Sequence, residues 1–534
     1  MKLKSYFFGI LGLLFSVSLS AQKIYNRIIV KSKNIESVIN QVISNRDAYT
    51  IDVLSSDLGL YTIEFEGDKN HAFLNNLKEN RDILFASFDQ HLQSRAKPND
   101  ALLDKQWYIN FLNLPRAWDI TTGGKTNSGK EIVIAILDSG IDIAHKDLAG
   151  NIFINAAEIP NDGRDNDGNG YIDDVNGINT STNNGIITSA FHGTWVSGIA
   201  GAKGNNGEGI TGVNWNIKIL PITNATNVSS LIKGYDYARV MRRMYDESGG
   251  AKGAFVVVAN YSGGLENAFG SDPMYKPWCD MYDFLGQQGI ISVGSTANND
   301  VNVDNVGDLP STCPSEFLIS VTSCNPSGDL ASGSAFGKVN VDIAAPGENI
   351  FGLGTRDSYK EDTGTSASAP MVAGVVALLY SVPCADFEKL IATNKVTAAR
   401  TVRDAILNGN NKTTNLTLRT KTGGYLNAYR SIVNMQDACG GKLLLPSVKG
   451  SLNITNITYV GNEATIVFVS PDENEYNLSI YNEAGQTVKT SKVNPQLFGD
   501  KFTTMDFGDL IQGVYFISLY SKEGIVTKKL FWAN

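Results

Sequence analysis

Four continuous apolar runs limit the fold of this chain more than any other feature of its sequence. They are EIVIAIL at 131–137, GAFVVVAN at 253–260, GIISVGS at 289–295 and EFLISVTS at 316–323. Short apolar runs without polar alternation are typical of strands buried on both faces of a sheet. Helical stretches such as residues 229–247 lie between them. This alternation predicts an α/β domain with a mostly parallel sheet, which we place at residues 99–440.

The regions that flank this domain have different patterns. Residues 22–98 predict a small α+β unit in the order β-α-β-α-β. Residues 441–452 have the composition of a linker. Short strands separated by Gly, Asn and Asp turns then predict a C-terminal β-sandwich at residues 453–534.

The N-terminus carries a targeting signal. Lys2 and Lys4 precede the apolar stretch FFGILGLLFSVSLSAQ, which ends in small residues. A membrane anchor is the alternative, but the stretch is shorter than the ~20 apolar residues that a span needs. We therefore expect a signal peptide at residues 1–21 and no transmembrane segment in the mature chain.

Charge and cysteine content narrow the possible partners. The net charge is -9 and no dense Lys/Arg block occurs, which argues against nucleic acid as a partner. No C-x-x-C pair occurs, which argues against a zinc site. In an exported protein we expect one or two disulfides and at least one thiol left over, with the pairing open. The five cysteines are Cys279, Cys313, Cys324, Cys384 and Cys439.

Three segments of the α/β region carry residues suited to nucleophilic catalysis. Asp138 follows the apolar strand of VIAILDSGID, and ligand and catalytic groups gather at such carboxyl ends of parallel strands. His192 lies in FHGTWVSGIAGA, where it could instead be a structural residue at a helix start. Ser366 opens a helix in DTGTSASAPMVAGVVALL, and Pro370 falls in the early turns, where a proline is tolerated.

Ser366 has two interpretations when it is taken alone. It could be an ordinary N-cap, or a nucleophile whose developing negative charge is favoured by the amides of the helix start. A serine hydroxyl needs a base to take its proton, and the base needs a buried carboxylate to fix its tautomer. Asp138, His192 and Ser366 supply these three groups, in the chain order Asp, His, Ser.

The DSG, HGT and GTSASAP segments resemble the three signature blocks of the subtilisin-like serine proteases, the subtilases (peptidase family S8). The resemblance implies a subtilisin-like three-layer α/β fold and an acyl-enzyme mechanism. It also implies an oxyanion-hole asparagine, for which GIISVGSTANND offers Asn298, with Asn299 as the alternative. The substrate backbone would lie beside Ser262, Gly263 and Gly264, because glycines let another chain approach closely.

The segment NDGRDNDGNGYIDDVNG is close to an EF-hand calcium loop. The position where an EF-hand has its bidentate glutamate holds Asn176, and Asp174 could supply the missing carboxylate. A solvated Asn/Asp/Gly turn is the alternative interpretation. We expect a structural Ca²⁺. The predicted ligands are Asp165, Asp167, Asn169, the Tyr171 carbonyl, Asp173 and Asp174.

The flanking modules also resemble parts found with subtilases. Residues 22–98 are similar to inhibitory propeptides, and residues 453–534 are similar to C-terminal sorting domains of type IX secretion. The alternative for the latter is an accessory sandwich that binds sugar or protein. The resemblance implies a secreted or cell-surface endopeptidase of a Gram-negative bacterium. Its partners would be protein or peptide substrates, its own propeptide as inhibitor and the secretion machinery.

Two other functions remain open at this point. A processing protease of narrow specificity would use the same residues on particular surface proteins. A calcium-stabilised adhesin on an inactive protease fold would need none of them to react. The cleavage preference cannot be read from these motifs.

Overall fold

The structure is a computed structural model that describes most of the chain. The described residues are 25–42, 49–66, 71–89, 97–441, 453–460, 463–470, 476–483, 485–493, 499–521 and 524–532. The expected signal peptide and nearly all of the expected linker lie outside the described residues. The chain divides into two compact units, Met1–Ser94 and Arg95–Asn534.

The first unit contains one antiparallel sheet and two helices. Its elements are β1 (Tyr25–Ser32), α1 (Ile35–Val42), β2 (Tyr49–Ser55), β3 (Leu60–Glu66), α2 (His71–Glu79) and β4 (Ile83–Phe88). The strand order is β2-β3-β1-β4. The order along the chain is therefore β-α-β-β-α-β, with one strand more than the sequence predicted. The missed strand β2 lies at the sheet edge and is partly or fully exposed along its length, so it lacks the apolar run of a central strand.

The second unit begins with the α/β region, which contains the four predicted central strands. Its strands are β5 (Val133–Asp138), β6 (Ile178–Asn179), β7 (Lys218–Thr223), β8 (Val256–Tyr261), β9 (Leu265–Glu266), β10 (Ile291–Ser295), β11 (Asp308–Leu309), β12 (Leu318–Cys324), β13 (Ile343–Pro346), β14 (Ile350–Leu353), β15 (Tyr359–Asp362), β16 (Asn411–Lys412) and β17 (Gly424–Tyr425). Its α-helices are α3 (Tyr108–Phe111), α4 (Leu114–Trp118), α5 (Phe191–Gly201), α6 (Val228–Glu247), α7 (Lys276–Gln287), α8 (Val303–Val306), α9 (Thr365–Leu379), α10 (Ala385–Thr393), α11 (Lys395–Asn408) and α12 (Ala428–Val433). Short 3₁₀ helices lie at Leu103–Lys105, Ala149–Asn151 and Pro273–Tyr275.

A nine-stranded sheet forms the centre of this region. Its order is β16-β17-β13-β12-β10-β8-β5-β7-β6, and every neighbouring pair is parallel except β16–β17 at the edge. Strands β5, β10 and β12 are buried at every residue, as their apolar runs predict. Helix α9 is also buried at every residue, so it packs inside the domain rather than on its surface.

The C-terminal region is all β, as the turn spacing predicts. Its strands are β18 (Asn453–Val460), β19 (Glu463–Ser470), β20 (Tyr476–Asn482), β21 (Thr487–Val493), β22 (Gly499–Asp506), β23 (Gly513–Ser521) and β24 (Gly524–Trp532). They form two antiparallel sheets, β18-β19-β22 and β21-β20-β23-β24, around one apolar core. Strand β18 begins at residue 453, where the sequence predicts the sandwich to start.

Two disulfides cross-link the second unit, which settles the pairing that the sequence left open. Cys279 pairs with Cys313, and Cys384 pairs with Cys439. Cys324 is the leftover thiol, and it is fully buried at the end of β12. Within the described ranges, no helix is both long and apolar enough to cross a membrane.

Candidate active site

Asp138 and His192 form a hydrogen-bonded pair at the carboxyl end of the sheet. Asp138 is the last residue of β5 and is 4% exposed. His192 lies in the first turn of α5, and its Nδ1 is 2.9 Å from each carboxylate oxygen of Asp138. Because a carboxylate only accepts, Nδ1 carries the proton and Nε2 is left as the acceptor. This is the tautomer that a general base requires.

The surroundings of the pair fix its geometry and its charge. Ser139 donates to Asp138 Oδ1 through its backbone N–H at 2.7 Å and its hydroxyl at 3.0 Å. A Cβ at Gly193 would come within 2.2 Å of the Gly140 carbonyl, so glycine there lets α5 approach the end of β5. Burial disfavours the imidazolium, but the hydrogen bond to Asp138 and the charges of Asp138 and Asp362 outweigh it. The pKa of His192 therefore lies above its usual value.

Ser366 is the second residue of α9 and is 8% exposed. Pro370 lies inside this helix, where its missing N–H leaves the carbonyl of Ser366, four residues earlier, without its usual helical partner. The hydroxyl of Ser262 donates to that carbonyl at 2.9 Å instead. A segment at the end of β8 thus holds the backbone of Ser366 in place. The proline contributes to this arrangement rather than being merely tolerated.

The hydroxyl of Ser366 is not hydrogen-bonded to His192 in this structure. Among the described residues its one hydrogen bond is long, 3.4 Å, and goes to the carbonyl of Ser262. Nε2 of His192 also makes no hydrogen bond to the residues that the structure describes. Such contacts are often long in the free enzyme and tighten when substrate binds. The structure therefore shows Asp138 and His192 in direct contact, whereas the Ser366 hydroxyl is not hydrogen-bonded to either of them.

Asn298 lies beside Ser366 through contacts with the residue that precedes the serine. Its Oδ1 accepts from the backbone N–H of Thr365 at 2.9 Å and from the Thr365 hydroxyl at 3.0 Å. Because the N–H of Thr365 can donate only to an oxygen, these contacts fix which side-chain atom is Oδ1 and which is Nδ2. The Nδ2 group makes no hydrogen bond to the described residues. Asn299, the alternative, donates from Nδ2 to Glu266 at 3.0 Å. The free donor next to Ser366 therefore belongs to Asn298.

Ser262, Gly263 and Gly264 follow β8 and line a pocket of about 200 Å³ together with Asn298 and Ser366. A Cβ at Gly264 would meet the Leu309 carbonyl at 2.3 Å, so only glycine fits at that position. Gly263 and Gly264 make no backbone–backbone hydrogen bond to the part of the chain that is described. Their N–H and C=O groups are available to an extended peptide laid beside them.

The other histidine of the α/β region is structural. His145 is 1% exposed; its Nδ1 accepts from the backbone N–H of Asp147, and its Nε2 is 3.1 Å from the Ser358 carbonyl. Both ring nitrogens therefore have partners inside the fold. His192, in contrast, is hydrogen-bonded to Asp138.

The acidic loop brings together some of the predicted calcium ligands and adds one that the sequence analysis missed. Carboxylate oxygens of Glu158, Asp165 and Asp167 all lie within 4.8 Å of one another. Glu158 is 6% exposed, and its Oε2 has no hydrogen-bond partner among the residues that the structure describes. A buried carboxylate oxygen without a donor, among other carboxylates, fits a hard cation such as Ca²⁺. Glu158 precedes the first position of the EF-hand pattern, Asp165. The EF-hand pattern therefore could not identify it as a ligand.

The remaining predicted ligands of the loop have other partners. Asp173 accepts from the backbone N–H groups of Asp162 and Gly163 at 3.0 and 3.2 Å. Asp174 is fully buried and accepts from Tyr237 at 2.6 Å and Asn169 at 2.8 Å. The side-chain Oδ1 of Asn169 accepts from the backbone N–H of Tyr171. Asp165 and Asp167 also accept hydrogen bonds within the loop. The start of the loop is favoured as a cation site because the three carboxylates of Glu158, Asp165 and Asp167 approach one another there.

Comparison with known proteins agrees with this architecture. Residues 129–424, more than half of the chain, match the subtilase family (peptidase S8), and residues 460–532 match the secretion system C-terminal sorting domain. The chain is 28% identical over 344 residues to Subtilisin-like protease 1 of Plasmodium berghei, a match covering 60% of this chain and 52% of that protein. It is 30% identical over 334 residues to an extracellular protease of Xanthomonas campestris pv. campestris, covering 58% of this chain and 54% of that protein.

Among solved structures, a protease from Pseudoalteromonas arctica matches with 25% identity and a TM-score of 0.45, covering 63% of this chain and 99% of that one. The chain spans about half the length of the two sequence relatives named above. The family match includes the segments that contribute Asp138, His192 and Ser366. On this match the chain belongs to the subtilase family of serine proteases and ends in a sorting domain of the type IX secretion system.

Proposed function

We propose that the protein is a secreted serine endopeptidase that hydrolyses peptide bonds through Asp138, His192 and Ser366. Ser366 is the nucleophile, His192 the general base and acid, and Asp138 the group that orients His192. Asn298 and the backbone N–H of Ser366 form the oxyanion hole. The substrate backbone lies along Ser262, Gly263 and Gly264.

The reaction follows from these roles. His192 Nε2 takes the proton of the Ser366 hydroxyl as Oγ attacks the carbonyl carbon of the substrate. The oxyanion that forms accepts hydrogen bonds from Asn298 Nδ2 and the Ser366 N–H. His192 then gives the proton to the leaving amine, which leaves an acyl ester on Ser366. Water hydrolyses that ester with His192 again acting as base.

The observation that carries the proposal is the contact between His192 Nδ1 and the buried carboxylate of Asp138. It fixes the tautomer in which Nε2 can accept a proton. The free Nδ2 of Asn298 beside Ser366 supports the same conclusion, since its position is set by Thr365 and not by substrate. An inactive adhesin has no need of either arrangement.

The modules around the catalytic region belong to the same proposal. Residues 1–21 would direct export, residues 22–98 would inhibit the enzyme until they are cleaved, and residues 453–534 would route it through the type IX system to the cell surface or medium. The chain's match to the sorting domain supports the last step. Residues 99–440 would then be the catalytic domain.

A structural calcium ion completes the proposal. Glu158, Asp165 and Asp167 would hold it. Of the further ligands expected from the sequence (Asn169, Tyr171, Asp173 and Asp174), Asp173 and Asp174 accept hydrogen bonds from other residues and would lie outside the ligand set. The ion would neutralise carboxylates that otherwise repel one another and so stabilise the loop between β5 and α5. It has no part in the chemical step.

Hydrolysis of unfolded protein by the matured enzyme tests the proposed activity. We expect Ser366→Ala to abolish cleavage of a casein substrate. Ser368→Ala is a matched control, because Ser368 lies on the same helix and donates to the carbonyls of Ala345 and Pro346. Full activity in Ser366→Ala would refute the proposal.

A further inference from the structure

We propose that the pocket beside Ser366 binds the side chain of a lysine or arginine, so that the enzyme cleaves after basic residues. This inference rests on the proposed function of Ser366 as the nucleophile. It concerns the residue whose carbonyl is attacked, since the same pocket contains Ser366 and Asn298.

The pocket has the size and the walls of a site for one polar side chain. Its volume of about 200 Å³ lies below the ~300–1,000 Å³ usual for small-molecule sites. Ser262, Ser295 and Thr296 line the pocket with hydroxyl groups, and the largest apolar side chain that lines it is that of Ala297. An aliphatic or aromatic side chain would find few apolar partners there.

Two carboxylates supply the charge of the pocket. Asp308 and Glu266 both line it, and they face each other as register partners in the antiparallel pair β11–β9. Side chains directly opposite in such a pair lie on the same face, and like charges in that position are destabilising. The repulsion between the two carboxylates therefore destabilises the folded protein when the pocket is empty, and a bound cation would offset that repulsion.

No cationic side chain among the described residues fills this role. Neither Asp308 nor Glu266 forms an ion pair with any lysine, arginine or histidine that the structure describes, and none of these lines the pocket. Asp308 is 1% exposed. Burial, with a smaller contribution from the charge of Glu266, raises the pKa of Asp308 to about 6, although hydrogen bonds from Ser311 and the backbone of Ala297 oppose the rise. A buried guanidinium or ammonium group would favour the ionised carboxylate.

A purely structural role for Asp308 explains only part of these contacts. The Ser311 hydroxyl donates to its Oδ2 at 2.5 Å, which holds the turn after β11. Its other oxygen, Oδ1, lies 3.6 Å from the position of a Cβ on Gly264, in the wall where substrate would lie. The backbone N–H of Ala297 also donates to this carboxylate. These two hydrogen bonds hold the turn, but neither brings a positive charge to the buried carboxylate.

The chain itself contains a candidate substrate of this class. The boundary between its two compact units falls between Ser94 and Arg95. The segment SRAKPND around it offers Arg95 followed by alanine, and Lys97 followed by proline. Cleavage after Arg95 would release the N-terminal unit, so removal of the propeptide would use the same specificity as cleavage of other proteins.

Peptides that differ only in the residue before the cleaved bond test the proposal on the matured full-length enzyme. The residues compared are arginine, lysine, leucine, phenylalanine and citrulline, which has nearly the shape of arginine without its charge. We expect kcat/KM for arginine to exceed that for citrulline on the order of 10²-fold, because a buried charge pair is lost. Asp308→Asn should remove most of this ratio, and Glu266→Gln should reduce it. Glu131→Gln, an exposed acid before the opposite end of β5, is the control.

The outcomes separate this inference from the proposed function. A wild-type enzyme that cleaves after leucine or phenylalanine as fast as after arginine would overturn the inference while leaving the protease intact. An unchanged arginine-to-citrulline ratio in both Asp308→Asn and Glu266→Gln would also overturn it. Hydrolysis of none of the peptides, with no covalent labelling of Ser366 by a fluorophosphonate, would instead refute the proposed function. Labelling of each variant shows that its active site is folded.

Discussion

At the scale of single residues, the candidate site depends on groups that are oriented before substrate arrives. Asp138 is held by Ser139, His192 by Asp138, Asn298 by Thr365 and the Ser366 backbone by Ser262. The reacting atoms, namely the Ser366 hydroxyl, His192 Nε2 and Asn298 Nδ2, make no short hydrogen bond to the described residues. Preorganised donors of this kind do not need to reorganise during the reaction, which is where most of their catalytic effect arises.

Replacing Asp138 by asparagine should lower kcat by about 10⁴, because the amide favours the wrong tautomer of His192. The wild-type pH profile gives an independent test. The pKa of His192 is raised, and the neutral form is the base, so kcat/KM should rise with pH through a midpoint above the usual histidine pKa. A midpoint below that value, or an active Asp138→Asn variant, would contradict the assignment.

Asn298→Ala should lower kcat by on the order of 10²–10³ with little change in KM, which is the usual effect of losing one oxyanion donor. The donor acts on the charge of the transition state and not on the bound ground state. Asn299→Ala tests the alternative from the sequence. If Asn299→Ala lowers kcat and Asn298→Ala does not, the oxyanion assignment is wrong.

At the scale of elements, the loop between β5 and α5 gives the sharpest test of the metal proposal. Adding calcium to chelator-treated protein should raise Tm on the order of 5 °C, because the ion binds only the folded loop. Glu158→Gln should lose much of this shift, since it removes the charge of the unpartnered buried oxygen. Asp173→Asn should keep the shift, because Asp173 caps the amides of Asp162 and Gly163. The opposite pattern would support the ligand set expected from the EF-hand pattern.

The elements also show what a single sequence can and cannot reveal. The apolar runs predicted β5, β8, β10 and β12, because strands buried on both faces have few polar residues. Strand β2 was not predicted, because an exposed edge strand needs no apolar run. Asp138 was found because a catalytic acid at the end of a parallel strand is a local pattern.

Residues that act through distant pairing were not predictable in this way. Glu158 reaches Asp165 only because the chain turns between them, and no spacing rule encodes that turn. Asp308 faces Glu266 across a two-residue ladder between segments about 40 positions apart in the chain. Such pairings depend on the tertiary fold, and local sequence patterns do not predict them.

At the scale of the whole molecule, the proposal makes maturation depend on the catalytic serine. Ser366→Ala expressed as the full chain should keep the N-terminal unit, whereas the wild type should lose it. Arg95→Ala should slow that loss, because the pocket beside Ser366 would no longer receive a basic side chain at the cleaved bond.

N-terminal sequencing and intact mass measure this maturation directly. Lys97→Ala is the matched control, because the bond after Lys97 precedes Pro98. If Ser366→Ala matures as the wild type does, a different protease removes the N-terminal unit. Normal maturation of Arg95→Ala would place the cleavage elsewhere.

The central claim is that Ser366 is an activated nucleophile, and covalent labelling tests it most directly. The matured wild-type protein is treated with a fluorophosphonate, and the adduct is located by peptide mass spectrometry. We predict one adduct per chain, on the peptide that contains Ser366, and none in Ser366→Ala. His192→Ala should react far more slowly, because the hydroxyl then has no base. No adduct on Ser366 of the matured wild type, or equal labelling of Ser366→Ala, would contradict the account.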